Sequence, residues 1–171
     1  LVSSRGLGDV YKRQILNQYG GKIKHSSLKL EKSFDFGKWT LDNSIIYQMI
    51  NQNDDILNLP KFISRNTLFF SERIFRNTLA IQTGLNFKIF SKYFANEYNP
   101  LISDFHIQNQ KKIGSFPLFD FFFNAKIRQT KIFIIAEHIN SSFTGNNFYS
   151  TPESVYRDFG VRFGFKWNLF N

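Results

Sequence analysis

Between Asp158 and Phe170 the chain alternates residue by residue. Phe159, Val161, Phe163, Phe165, Trp167 and Leu169 share one parity and are all large and apolar. Asp158, Gly160, Arg162, Gly164, Lys166 and Asn168 share the other, and none of them is. Successive side chains of a strand point to opposite faces, so this segment is a β-strand with one apolar and one polar face. That pattern limits the fold more than any other feature of the chain.

The same period recurs upstream. Leu79, Ile81, Leu85, Phe87, Ile89 and Tyr93 oppose Gln82, Asn86, Lys88 and Lys92. Phe119, Phe121, Phe123, Ala125 and Ile127 oppose Asp120, Asn124, Lys126 and Arg128, with Phe122 as an exception. Weaker alternation runs through Lys22–Phe36, Lys38–Asn51, Ile63–Phe75 and Lys131–Ser142. In the first, Leu28, Leu30, Phe34 and Phe36 oppose Lys29, Glu31, Ser33 and Asp35. In the second, Trp39, Leu41, Ile45, Tyr47 and Met49 oppose Asp42, Ser44 and Gln48. In the last, Ile132, Ile134 and Ala136 share a face that Phe133 and Ile135 blur. The expectation is an all-β antiparallel meander of about seven long strands, each two to three times the roughly 5–6 residues of a soluble strand.

Length and connections together point to a membrane. A tilted transmembrane strand needs about 9–11 residues. The links are Gly37, 52–62, 76–78, 95–116, 129–130 and 143–155, alternately short and long. Outer-membrane barrels sort their loops in this way, with tight periplasmic turns and long extracellular loops. The same rule puts the C-terminus on the periplasmic side. Ile102–Asn109 alternates too, but counting it as a spanning strand would place two short turns on the wrong side. It is expected as a β excursion inside the long loop.

Composition narrows the class further. No apolar run approaches the 18–20 residues of a membrane-crossing helix. The absence of cysteine removes disulfides and thiolate chemistry. The 22 Phe and the excess of 22 Lys+Arg over 13 Asp+Glu must share one small chain. A soluble eight-stranded barrel has an interior only just wide enough for side chains, whereas a lipid-facing exterior accepts any number of Phe. Trp39 and Trp167 are candidate interface aromatics at the periplasmic rim. The candidate pore-lining residues are Lys88, Lys126, Arg128, Arg162, Lys166 and Glu137.

Residues 1–14 differ from the rest. They carry two glycines and no alternation, and closely resemble a translated sequencing adapter, so they are expected to be unstructured and to pack against nothing. Removing Arg5, Lys12, Arg13 and Asp9 lowers the net charge from +9 to +7. The first residue is Leu1, and further strands are expected upstream of the segment 15–171, because single-chain bacterial barrels have an even strand number.

Residues 123–171 resemble the C-terminal end of the putative porin family of Bacteroidetes outer membranes. The resemblance rests on Ala136-Glu137-His138, on Thr144-Gly145-Asn146-Asn147-Phe148-Tyr149, and on Arg162-Phe163-Gly164 with Trp167-Asn168. Leu41-Asp42-Asn43, Tyr47-Gln48, Gln82-Thr83-Gly84 and Tyr98-Asn99-Pro100 extend it over roughly residues 20–171. It implies a passive outer-membrane channel, with lipid and the outer-membrane assembly machinery as partners. Strands read by that machinery usually end on an in-phase aromatic; here Asn171 holds that place and Phe170 is out of phase.

No catalytic, cofactor or metal site is expected. His25, His106 and His138 are dispersed, without HxxxH or HExxH spacing. Ser141, Ser142 and Ser150 lack a GxSxG elbow, and Asp54-Asp55 reads as a solvated turn. Two other classes compete with the channel. A nucleic-acid module would carry aromatic and basic residues on one face; here they alternate, so no nucleic-acid partner is expected. A soluble barrel enclosing a hydrophobic ligand remains the alternative. Expression separates it from the channel: the full-length protein is expected to need detergent, and a monodisperse detergent-free product would favour the soluble barrel.

Overall fold

A computed structural model describes residues 20–143 and 148–168; residues 1–14 and the terminal Phe170 and Asn171 lie outside the described residues. Eleven strands follow one another: β1 (Lys24–Phe36), β2 (Trp39–Asn51), β3 (Phe62–Ile74), β4 (Leu79–Phe90), β5 (Tyr93–Phe94), β6 (Glu97–Asn99), β7 (Asp104–His106), β8 (Lys112–Ile113), β9 (Leu118–Ile127), β10 (Thr130–Glu137) and β11 (Gly160–Trp167). Seven of them form one sheet in the order β1-β2-β3-β4-β9-β10-β11, every neighbour antiparallel. This is the expected meander. β1 and β11 are not paired with each other, so the sheet is open. The four short strands form two ribbons, β5 with β8 and β6 with β7, inside the long connection between β4 and β9. The expected Ile102–Asn109 excursion holds β7, which pairs back onto β6 outside that span and stays out of the large sheet.

The links sort by length as the sequence predicts. Turns at 37–38, 75–78 and 128–129 close one end of the sheet, and connections 52–61, 91–117 and 138–159 lie at the other. Gly37 has φ 68, the first central position of a two-residue hairpin, where glycine avoids the Cβ clash. Arg128 takes φ 51 in the equivalent turn without that relief.

Register sets the faces. The run Phe36↔Trp39↔Phe70↔Thr83↔Phe123↔Ile134↔Phe163 crosses all seven strands through directly opposite residues, as does Phe34↔Leu41↔Leu68↔Leu85↔Phe121↔Ala136↔Val161. Opposite residues in an antiparallel pair share a face. The apolar parity of every strand therefore falls on the same side, despite switching between odd and even numbers from strand to strand. Lys32, Asn43 and Asn66 form a polar row on this side, over β1–β3 alone.

Among the described residues nothing covers that apolar face. Phe163, Phe165 and Trp167 are 83%, 74% and 62% exposed. Large aromatics on the polar side, by contrast, fill space left by glycines. Phe69 and Phe122 both stand opposite Gly84, and the Phe133 ring lies over Gly164 on the neighbouring strand. Two of the three residues that break the alternation of β9 and β10 are thereby explained: Phe122 and Phe133 pack where a neighbour has no side chain, whereas Ile135 stands opposite Phe122 and Arg162.

Strand ends differ from expectation at three places: β4 stops at Phe90 rather than at Tyr93, β11 starts at Gly160 rather than after 155, and β10 differs most. Alternation through Lys131–Ser142 predicts a longer β10, but the strand ends at Glu137. His138 takes φ 52, and Ile139 N–H donates to Phe119 O at 2.9 Å, so an extra residue bulges out of the ladder. Asp120 holds the bulge, its Oδ1 accepting the His138 N–H at 3.0 Å.

A Cβ at Gly164 would sit 2.6 Å from Phe133 Cζ. Gly164→Ala is expected to cost about 1–3 kcal/mol by overpacking, and adding Phe133→Leu should recover most of it. Urea unfolding of the full-length protein reconstituted in lipid vesicles measures both.

Candidate functional site: the polar face of the sheet

The six candidate lining residues all share the polar face or its rim. Lys88 stands on β4 opposite Arg65 and Leu118, Lys126 on β9 opposite Ala80 and Lys131, and Lys166 on β11 opposite Lys131. Arg162 faces Ile135 across β10, Glu137 ends that strand opposite Gly160, and Arg128 sits in the turn after β9. These placements follow from parity alone, which is why the sequence reveals them.

Charge on this face is not uniform. On β1 and β2 the acids dominate and are held by neighbours: Glu31 by Lys29 at 2.7 Å, Asp35 by the Thr40 hydroxyl at 2.7 Å, and Asp42 by the Ser33 hydroxyl. Toward the long loops, Lys88 Nζ lies 2.9 Å from Asp120 Oδ2. Glu137 is shared between Arg162 and Arg157, the latter at 3.7 Å. At the short-turn end, Arg73, Lys126, Lys131 and Lys166 lie in one cross-strand row, interrupted by Ala80. Among the described residues none of these four makes an ion pair.

Trp39 and Trp167 mark that same end on the opposite, apolar side. Trp39 starts β2 and packs against Phe70 with ring centroids 5.4 Å apart; Trp167 ends β11. An amphipathic ring at the edge of an apolar band is the arrangement of an aromatic girdle.

A family model described as "Putative porin" matches residues 9–171. The chain belongs to this porin family. No curated protein and no solved structure matches it. The porin match begins within the 1–14 stretch that composition sets apart from the rest.

Sequence reasoning missed the organisation of the long-loop end. Phe90 on β4 and Leu118 on β9 belong to the polar parity yet are apolar, and Phe116, Phe148 and Tyr156 from the loops pack against them. Phe116 of the 91–117 connection and Phe148 and Tyr156 of the next thus fold onto the polar side of the porin sheet. His138 lies at the centre, 1% exposed, with Phe148 and Tyr156 edge-on to its ring. Its Nδ1 is 2.6 Å from Arg157 O, while Nε2 has no partner among the described residues. Asn140 ties the two loops to the sheet, accepting from Phe119 N–H and donating to Pro117 O. The one available signal was the appearance of Phe90 and Leu118 at polar-parity positions. The other two histidines stand apart, His25 beside Gln48 and His106 beside Glu97.

Asp120 serves both the bulge and Lys88, so its loss should exceed that of its partner. Asp120→Ala is expected to destabilise by about 1–3 kcal/mol, the range for a stranded buried donor, and Lys88→Ala by less, since the lysine is half exposed. Unfolding midpoints compare them, and hydrogen exchange at 138–143 should rise only in the first variant.

Proposed function

We propose that the chain forms the C-terminal part of an outer-membrane β-barrel of the Bacteroidetes porin type, a passive channel for small polar solutes or ions. On this reading the apolar face meets lipid, the polar face lines water, and the short turns and C-terminus are periplasmic. A catalytic role is not part of it.

One observation carries the reading: an apolar face that crosses all seven strands, uncovered among the described residues and broken over β1–β3 by Lys32, Asn43 and Asn66, and backed by a polar face. Soluble proteins rarely expose apolar patches beyond a few hundred Å². A soluble ligand-binding barrel would turn this face inward, whereas here the loop side chains Phe116, Phe148 and Tyr156 pack over the polar face. Charged residues on a lipid face would cost about 2–4 kcal/mol each near mid-membrane, and Lys88, Lys126 and Arg162 all have the other parity. The loop core over Phe90 and Leu118 supports a lumen narrowed at its long-loop mouth.

Ion pairing refines the expected selectivity. Lining charge biases a pore toward the opposite sign. Lys88 and Arg162 are offset by Asp120 and Glu137, so the anion bias rests on Lys126 and its neighbours at the short-turn end. The full-length protein in a planar bilayer under a potassium chloride gradient should show a reversal potential of anion preference. Lys126→Glu with Lys166→Glu should move it toward cations, and Lys88→Gln should move it little. Cation preference in the unaltered protein would contradict the selectivity, and absence of conductance would contradict the channel.

A further inference from the structure

The lysine row at the short-turn end has a cost that nothing in the sheet offsets. Lys131 stands directly opposite Lys126 on one side and Lys166 on the other. Like charges directly opposite across strands destabilise a sheet. Elsewhere on this face Lys88 is paired with Asp120 and Arg162 with Glu137, while Arg65 stands opposite Lys88 without an ion pair of its own among the described residues. Among the described residues no carboxylate approaches the three lysines.

Their surroundings form a receptacle. The three lysines border an open hollow of about 580 Å³ whose wall also includes Gln82, Asn124 and Phe133. Neighbouring strands lie about 4.8 Å apart, so the lysine stems from β9 to β11 span about 10 Å. The flexible stems let the three heads converge, and three positive charges together are matched better by a multiply charged anion than by one chloride or one carboxylate. The row suits an anion with two or more charged groups, which would touch all three ammonium heads at once. Lysine is a point-charge phosphate ligand. The two amides supply hydrogen bonds for the uncharged part of such a solute, and the Phe133 ring supplies an apolar wall.

We infer that Lys126, Lys131 and Lys166 form a binding subsite for a multivalent oxyanion, of the class of a small phosphorylated solute carrying a di- or triphosphate-like charge. The inference rests on the polar face being the water-filled side. It adds a saturable site to what would otherwise be a diffuse positive lining. The ligand is a solute rather than a lipid headgroup, because the row has the parity opposite to Phe163, Phe165 and Trp167.

The test is calorimetric titration of the full-length protein in nonionic detergent with inorganic pyrophosphate, which needs no conductance. Saturable binding is expected, weakening steeply with added salt as an ion-driven contact should. Lys126→Gln, Lys131→Gln and Lys166→Gln combined should raise the dissociation constant at least tenfold, while Lys88→Gln should change it less than twofold. No saturable binding, or equal affinity in the triple variant, would overturn the subsite. Repeating the titration in phosphatidylcholine nanodiscs with and without phosphatidylglycerol separates the sources. Competition by the anionic lipid would make the ligand a headgroup and overturn the solute assignment. Pyrophosphate binding without conductance leaves the subsite standing and removes the channel; conductance without binding does the reverse.

Discussion

Everything in this chain depends on cross-strand register. The side-chain period of a strand is two, so a slip by one residue in any of the six ladders would send that strand's apolar set to the wrong face. Apolar parity changes from even on β1 to odd on β2, even on β3 and odd on β4, and the pairing absorbs each change. The short turns do much of the fixing. Phe36↔Trp39 and Ile127↔Thr130 each close on two residues, which leaves no freedom to slide. Backbone hydrogen bonds inside a bilayer have no water to fall back on, so a sheet of this kind must pair fully and keep its polar side chains to one side.

The fold was largely legible because it is written in parity and loop length. Phe159 to Trp167 announce a two-faced strand without any tertiary information, and the short-long sequence of links orders the meander. Legibility fails where three-dimensional neighbours decide. Phe122 and Phe133 look like errors in the pattern until Gly84 and Gly164 are seen beside them. The end of β10 at Glu137 is set by Asp120, eighteen positions before the His138 whose N–H it accepts, and no local propensity at His138 signals it.

The candidate lining residues were legible as a set but not as a charge pattern. Parity puts Lys88, Lys126 and Arg162 on one face; it cannot say that two of them are paired with acids and one is not. Asp120 is thirty-two positions from Lys88, and Glu137 twenty-five from Arg162. Those separations become contacts only once β4 pairs with β9 and β10 with β11. The result is a face with acids on β1 and β2, paired cations at Lys88 and Arg162, and unpaired positive charge in the row of Arg73, Lys126, Lys131 and Lys166. The loop core around Phe116, Phe148 and His138 adds an apolar cap at the long-loop end, built from residues that carry no strand period.

The division into a lipid face and a water face can be tested residue by residue along β11. These 171 residues hold no cysteine, so each substitution introduces the one thiol of this segment. Val161, Phe163 and Phe165, and then Arg162 and Lys166, would each be replaced by Cys in the full-length protein reconstituted in vesicles. A membrane-impermeant maleimide and quenching by brominated lipid then report the environment of each thiol. The expected result is strict alternation, with lipid quenching at 161, 163 and 165 and aqueous labelling at 162 and 166. Reversed alternation, or aqueous labelling at every position, would contradict a membrane-spanning strand in this orientation.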